Sequence, residues 1–376
     1  MKKRNYILPM CFFLCLILGF VSYFVSQQRE FSADENRYLT MRPNFRLDTL
    51  LSGEFTEQMD SYASDQFVLR SAAITVKTQI QKLAGVKDSN GVYFGKDGCL
   101  MLKKSPSEFD GTRFGKNLSA VKSFADMHES MPIKVMLVPT ASYVWSEKLP
   151  SGASDYDQAD VLEQAAKEFS ESSNVEMVDV AGQLLAHKDE DLYYRTDHHW
   201  TSLGAYYGYL ALCESEGWQQ PAYQSEVVTE SFYGTLYSKV LAAGTKPDRI
   251  ERYTGGGDVK EVSHGFGKTV TDSIYDETKL QEKDKYQFFL GGNDSEVTIR
   301  TKVKNGRHLL LIKDSYANCF VQYLTSEYET IHLIDLRYFS ENLSAYMERE
   351  GITEALFLYN LNNFDEDSSL IKVRMP

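Results

Sequence analysis

Cysteine is scarce in this chain, with five in 376 residues. Cys11 and Cys15 fall inside an apolar N-terminal run, leaving Cys99, Cys213 and Cys319. An odd number cannot pair completely, so these three read as small buried hydrophobes and a disulfide framework is excluded. Positive charge is also in deficit: 40 Lys and Arg face 53 Asp and Glu, a formal net charge of −13. No basic cluster interrupts that acidity, which excludes nucleic acid as a partner. Internal repeats and low-complexity tracts are missing. Outside one short segment, so is any His/Asp/Glu cluster at metal-ligand spacing, and no cofactor is expected.

Long apolar runs are confined to the first residues. Lys2, Lys3 and Arg4 precede a run from Tyr6 to Val25, closed by Ser26-Gln27-Gln28. At about 20 residues it is long enough to cross a hydrocarbon layer of roughly 30 Å. The leading positive charges place the N-terminus in the cytoplasm and the bulk of the chain outside. No small-x-small cleavage site follows Val25, and Phe13-Leu14 before Cys15 does not suit a lipoprotein. The run therefore reads as a retained single-pass anchor over residues 1–28; cleavage would make the protein secreted.

Residues 29–46 are polar, broken by Pro43, and read as a stalk. One large domain follows over 47–376. Apolar residues recur at helical spacing from Leu47 to Leu83, and Val92 to Leu102 reads as a hairpin. Beyond it, strands and helices alternate. The strands are Ile133–Val138, Val175–Val178, Leu309–Ile312, Thr330–Ile334 and Ala355–Leu358. The helices are Leu118–His128, Val161–Phe169, Ser202–Glu214, Tyr316–Leu324 and Glu341–Arg349. This is the pattern of βαβ units: a mostly parallel five-stranded sheet with helices on both faces. The Gly- and Tyr-rich stretch 218–307 reads as a β-rich insertion.

In an open parallel sheet, ligands bind beyond the carboxyl ends of the strands. Polar residues gather there: Thr140 after Val138, Asp179 after Val178, Lys313-Asp314-Ser315 after Ile312, and Asn360 after the last strand. The densest segment is Asp197-His198-His199-Trp200, just ahead of a helix start. In extended chain Asp197 and His199 share one face, so the carboxylate can orient and charge-balance that imidazole while His198 points away. Ser315, on a turn between strand and helix, is the nucleophile candidate, and free N–H groups at the helix start suit an oxyanion. A plain N-cap at Asp314 or Ser315 is the alternative. His198 is a substrate contact or a structural histidine, and Trp200 a packing residue or a sugar-stacking surface.

These residues carry a resemblance. Asp197-His198-His199-Trp200 is similar to the signature of the DHHW family of bacterial cell-surface proteins, and to the Asp-x-His-Trp motif of alginate O-acetyltransferase proteins. Phe31 to Arg37, Asp65 to Arg70, Gly91 to Gly95, Val138-Pro139-Thr140 and Lys313 to Tyr316 extend the likeness over most of the chain from residue 29. The resemblance implies an α/β, SGNH-hydrolase-like three-layer fold in variant motif order, with Asp197 and His199 ahead of Ser315. It makes Asp197 the acid, His199 the base and Ser315 the acyl-bearing nucleophile. Lys313 replaces the usual glycine, which leaves the Ser315 N–H as an oxyanion donor. Asn360 and Asn318 are the candidates for the family's asparagine.

The expected activity is an extracytoplasmic O-acyltransferase, transferring acetyl to a cell-surface polysaccharide or wall polymer. A multi-pass membrane O-acyltransferase is the acyl-donor partner the resemblance implies. A carbohydrate esterase and a non-catalytic carbohydrate-binding or envelope-assembly protein are the alternatives. A metallohydrolase built on Asp197, His198 and His199 is disfavoured, because adjacent histidines seldom converge on one ion.

Overall fold

The computed structural model describes residues 6–25, 28–220 and 223–374, without the side chains of 20–25. The chain divides into two compact units, 1–86 with 238–244, and 87–237 with 245–376. Residues 47–86, grouped by sequence with the large domain, therefore belong to the first unit.

In the first unit the apolar run forms the helix Ile7–Val25. Among the described residues no helix is long and apolar enough to cross a membrane. The helical spacing from Leu47 to Leu83 resolves into three helices, Leu47–Ser52, Glu54–Asp65 and Arg70–Leu83. Gly53 makes the first break: its φ of +86° is left-handed, and its N–H closes on the Leu50 carbonyl. Glycine alone takes that conformation without strain.

The second unit is built on an eight-stranded sheet. Its strands are β1 (Ile133–Val138), β2 (Val175–Met177), β3 (Val259–His264), β4 (Thr269–Thr271), β5 (Glu296–Thr301), β6 (His308–Lys313), β7 (Thr330–Ile334) and β8 (Glu354–Asn360). Their spatial order is β4-β3-β5-β7-β6-β8-β1-β2. The block β7-β6-β8-β1-β2 is parallel throughout and contains the five strands expected from sequence. The sheet does not stop there. Strand β5 pairs antiparallel with β7, and β3 and β4 extend it antiparallel. The whole is thus a mixed sheet, and the stretch 218–307 contributes to it as well as forming the separate pair Gln224–Phe232 and Asp248–Thr254. Pairing with β5 removes the unpaired edge that β7 would otherwise present.

Side chains of the central strands alternate between two cores. Leu309 and Leu311 of β6 join Tyr209, Ala205 and Trp200 on one face, while Leu310 and Ile312 join Phe114, Phe124, Val161 and Tyr346 on the other. That is the period of two expected of a strand buried on both sides, and it makes the unit three-layered. Cys99, Cys213 and Cys319 are free and buried.

The helix expected over Tyr316–Leu324 is shorter in α form. Ala317–Phe320 is α-helical and Val321–Ser326 continues as 3₁₀. Gln322, Thr325 and Ser326 donate from their side chains to carbonyls three residues back, which competes with the α-helical ladder.

Candidate active site

Strand β6 ends in Lys313, and the chain turns at Asp314-Ser315 before the short helix. Asp314 fixes that turn. Its Oδ1 accepts the Tyr316 N–H at 2.8 Å, and its Oδ2 accepts the Asn360 N–H at 2.8 Å and Asn363 Nδ2 at 2.7 Å. Burial pushes this carboxyl up, against the pull of those donors. Ser315 is left partly exposed, at the carboxyl edge of the parallel block. Its carbonyl accepts the Tyr286 hydroxyl at 3.0 Å.

The Asp-His-His-Trp segment is not extended, contrary to the expectation from spacing. Tyr193 and Trp200 pair as an antiparallel bridge, so residues 195–199 form the bend between them. Within the bend Asp197 Oδ1 accepts both the His199 backbone N–H at 3.0 Å and His199 Nδ1 at 2.6 Å. The carboxylate reaches the second residue on through an Asx-type turn, which explains why the pairing survives without a strand. On the far side of the ring, His199 Nε2 lies 2.7 Å from Ser315 Oγ, across 116 residues of sequence. Asp197, His199 and Ser315 thus form one hydrogen-bonded chain.

His198 does not point away. Its ring centroid lies 3.9 Å from that of His199, and its Nδ1 lies 2.8 Å from Thr235 Oγ1 and 3.6 Å from Asp197 Oδ1. The bend, unlike a strand, brings neighbouring side chains to the same side. One atom each of Asp197, His198 and His199 therefore falls within 4.8 Å of the others, a spacing that could hold an ion. Here Asp197 and His199 bond each other, and His198 bonds Thr235.

Asp197 is only 2% exposed. Its Oδ2 accepts the Thr235 N–H at 2.7 Å and the Thr235 hydroxyl at 2.9 Å. Burial alone would raise this carboxyl. The facing imidazoles of His198 and His199, with the hydrogen bonds, hold it well below the usual carboxylate range. Gly234 gives the close approach: a Cβ there would stand 2.3 Å from the Asp197 Cβ. Tyr286 stacks on the His199 ring at 3.8 Å and 11°, restricting its rotation. Gly234, Thr235 and Tyr286 carried no sequence signal, since a fold must be known before distant segments can be joined.

Trp200 is fully buried and packs in the core, so it presents no surface to a sugar. Its Nε1 donates to the Tyr316 carbonyl at 2.9 Å, and the Tyr316 hydroxyl donates back to the His198 carbonyl. These two bonds clamp the bend to the serine turn. Gly208 leaves room for the indole, because a Cβ would come within 2.8 Å of its ring.

The remaining candidates are engaged inside the fold. Thr140 Oγ1 accepts Gln158 Nε2 at 2.6 Å. Asn360 caps the helix Leu361–Glu366, and its Nδ2 donates to the Val138 carbonyl. Asn318 Oδ1 accepts Lys313 Nζ at 2.6 Å, and its Nδ2 donates to Asn293 Oδ1 at 3.1 Å. Lys313, in place of the expected glycine, is buried, and burial pulls its ammonium down to about 8. Its side chain bridges from the strand end across the serine turn.

A carboxylate–imidazole–hydroxyl chain thus stands at the carboxyl edge of a parallel block. The chain belongs to the DHHW family, whose sequence profile matches residues 136–334. It is similar to a solved DHHW family protein from Eubacterium siraeum, at 28% identity and a TM-score of 0.65, covering 77% of this chain and 97% of that one. It also resembles in fold the Bacillus cereus protein PatB1, solved with a sulfonyl adduct, at 19% identity and a TM-score of 0.61, covering 74% and 97%. Among curated proteins it is 24% identical over 165 residues to a probable alginate O-acetylase, AlgJ, of Pseudomonas syringae pv. tomato. That match covers 42% of this chain and 41% of the relative, so the chain spans about two fifths of its length.

Proposed function

We propose that the protein is an extracytoplasmic O-acyltransferase, moving an acetyl group onto a cell-surface polysaccharide through an acyl-serine intermediate on an SGNH-like fold. The observation that carries this reading is the continuous bonding from Asp197 through His199 to Ser315 Oγ. With Asp197 ionised, His199 holds its proton on Nδ1 and leaves Nε2 free to accept. Ser315 Oγ attacks the donor's acyl carbon as its proton passes to Nε2. The donor's leaving oxygen departs with that proton, and the acyl group stays on Ser315. A sugar hydroxyl then gives its proton to Nε2 and attacks the ester carbon, and the same proton returns to Ser315 Oγ as the acyl–serine bond breaks. In this scheme the Ser315 N–H donates to the oxyanion. His198 supports the carboxylate: its Nδ1–H donates to Thr235 Oγ1, whose own proton goes to Asp197.

The similarity to an alginate O-acetylase supports a polysaccharide acceptor, and a multi-pass membrane acyltransferase would supply the acyl group. The apolar helix Ile7–Val25 would tether the chain at the membrane. Partial exposure of Ser315 favours hydrolysis as a competing outcome, since water can reach the ester. The test is release of nitrophenol from nitrophenyl acetate by the full chain, with and without an acceptor polysaccharide. Acetyl recovered on the sugar supports transfer, acetate alone supports an esterase, and inertness with polysaccharide binding favours a non-catalytic role.

A further inference from the structure

Two segments of the first unit, 31–37 and 65–70, converge on one ion cluster. Arg37 grips Asp65 through Nη2–Oδ1 at 2.6 Å and Nη1–Oδ2 at 2.9 Å, and its Nε meets Glu35 at 3.0 Å. Arg70 takes the same Glu35 at 2.7 and 3.1 Å. The Arg37 guanidinium holds the Asp65 carboxyl well below its ordinary range. Bidentate pairs of this kind fix geometry as well as charge. What they fix is the loop between the helices Glu54–Asp65 and Arg70–Leu83, and its tip is apolar. Phe67, Val68 and Leu69 are 41%, 53% and 62% exposed.

The position of that tip is set by Arg29. Gln66 accepts the Arg29 N–H at 3.0 Å and donates to its carbonyl at 2.9 Å. The apolar helix ends at Val25, four residues earlier, and four residues reach about 14 Å at full extension. The tip is therefore held close to the end of a helix whose own apolar side chains face outward. Beside it lies a groove of about 400 Å³, with Ala63, Phe67, Ala73 and Ile74 as its apolar lining and Lys77 as a cation, Arg70 being held by Glu35; the exposed Arg29 guanidinium reaches the Phe67 carbonyl at 3.5 Å. Apolar side chains at a tip with cations alongside suit the boundary between acyl chains and phosphate headgroups.

We propose that Phe67, Val68 and Leu69 insert into the interfacial layer of an anionic phospholipid bilayer, the one that holds the helix Ile7–Val25. This rests on the tether reading of residues 6–25 and is independent of the acyl-transfer chemistry. The test uses the full chain in vesicles of phosphatidylethanolamine and phosphatidylglycerol carrying brominated acyl chains. Val68→Trp reports on the tip and Ile17→Trp, in a separate variant, on the helix, each after subtraction of wild-type emission. Both positions are exposed, so neither substitution disturbs packing. Both tryptophans should lose about half their emission to the bromine quencher. Quenching at Ile17→Trp without quenching at Val68→Trp overturns the proposal and leaves the tether standing. No quenching at either overturns both. A Val68→Trp emission that shifts to the blue without quenching, with dimers in sedimentation, overturns it in favour of a second copy of the chain. Equal quenching in phosphatidylcholine vesicles overturns the preference for anionic lipid.

Discussion

Replacing Asp197 with asparagine keeps the side-chain shape and removes the charge, and the geometry dictates what breaks. Oδ1 accepts the His199 N–H and Nδ1, while Oδ2 accepts the Thr235 N–H and hydroxyl. An amide offers one oxygen. With its NH₂ at the Oδ2 position it faces the Thr235 N–H, donor against donor in a buried site. With its NH₂ at the Oδ1 position it opposes the His199 N–H and requires Nδ1 as an acceptor. That moves the ring proton to Nε2, where it points at Ser315 and blocks proton uptake. Each unpaired buried donor costs about 1–3 kcal/mol, and the second orientation also removes the base. We expect kcat on nitrophenyl acetate to fall about 10³- to 10⁴-fold, equivalent to about 4–5 kcal/mol in the barrier. KM should stay within about threefold, because the ester does not touch Asp197. A folded Asp197→Asn variant keeping more than about a tenth of wild-type kcat would refute this account of the imidazole.

His198→Ala should lower kcat about tenfold with little change in KM, since it removes the partner of Thr235 Oγ1; unchanged kinetics would make His198 a bystander. Gly234→Ala should lower both melting temperature and activity, because its Cβ collides with Asp197; a neutral result in thermal melts would contradict the packing described. Trp200→Phe leaves the Tyr316 carbonyl without its indole donor and should destabilise the fold by about 1–3 kcal/mol in denaturant titrations. Lys313 yields a pH test. Its folded value of about 8 lies below the unfolded value of about 10.4, so the unfolded chain binds more protons between those limits. The burial penalty is fully present below pH 8 and is relieved as pH rises, so wild type should gain on the order of 3 kcal/mol relative to Lys313→Met from pH 7 to above 10. A difference independent of pH would contradict a buried, titrating Lys313.

Much of the site was legible because its chemistry is concentrated in sequence. Asp197 and His199 sit two apart, and Ser315 follows an unmistakable buried strand. Strand alternation, which predicts the pairing of Asp197 with His199, is not what produces it: an Asx-type bend makes the contact and carries His198 along. The five parallel strands were readable from their continuous apolar runs. The antiparallel extension was not, because β4 is three exposed residues and β3 buries only Val262, giving a weak pattern. Tyr286, within the 3₁₀ turn Lys285–Phe288, and Thr235, the first residue of a short helix, reach the site from segments with no motif of their own. The polar strand ends at Thr140 and Asn360 were visible, but whether an end faces a ligand or caps a neighbour depends on contacts such as Gln158 and Asn362 that sequence does not reveal.

The central claim is that Ser315 carries the acyl group, and mass spectrometry of the acylated protein tests it most directly. The full chain is mixed briefly with an activated acetyl ester, quenched in acid and digested. The account predicts one acetyl group on the peptide containing Ser315, lost in Ser315→Ala and strongly reduced in His199→Ala. Acetyl on another residue, or undiminished labelling and turnover in a folded Ser315→Ala variant, would contradict it.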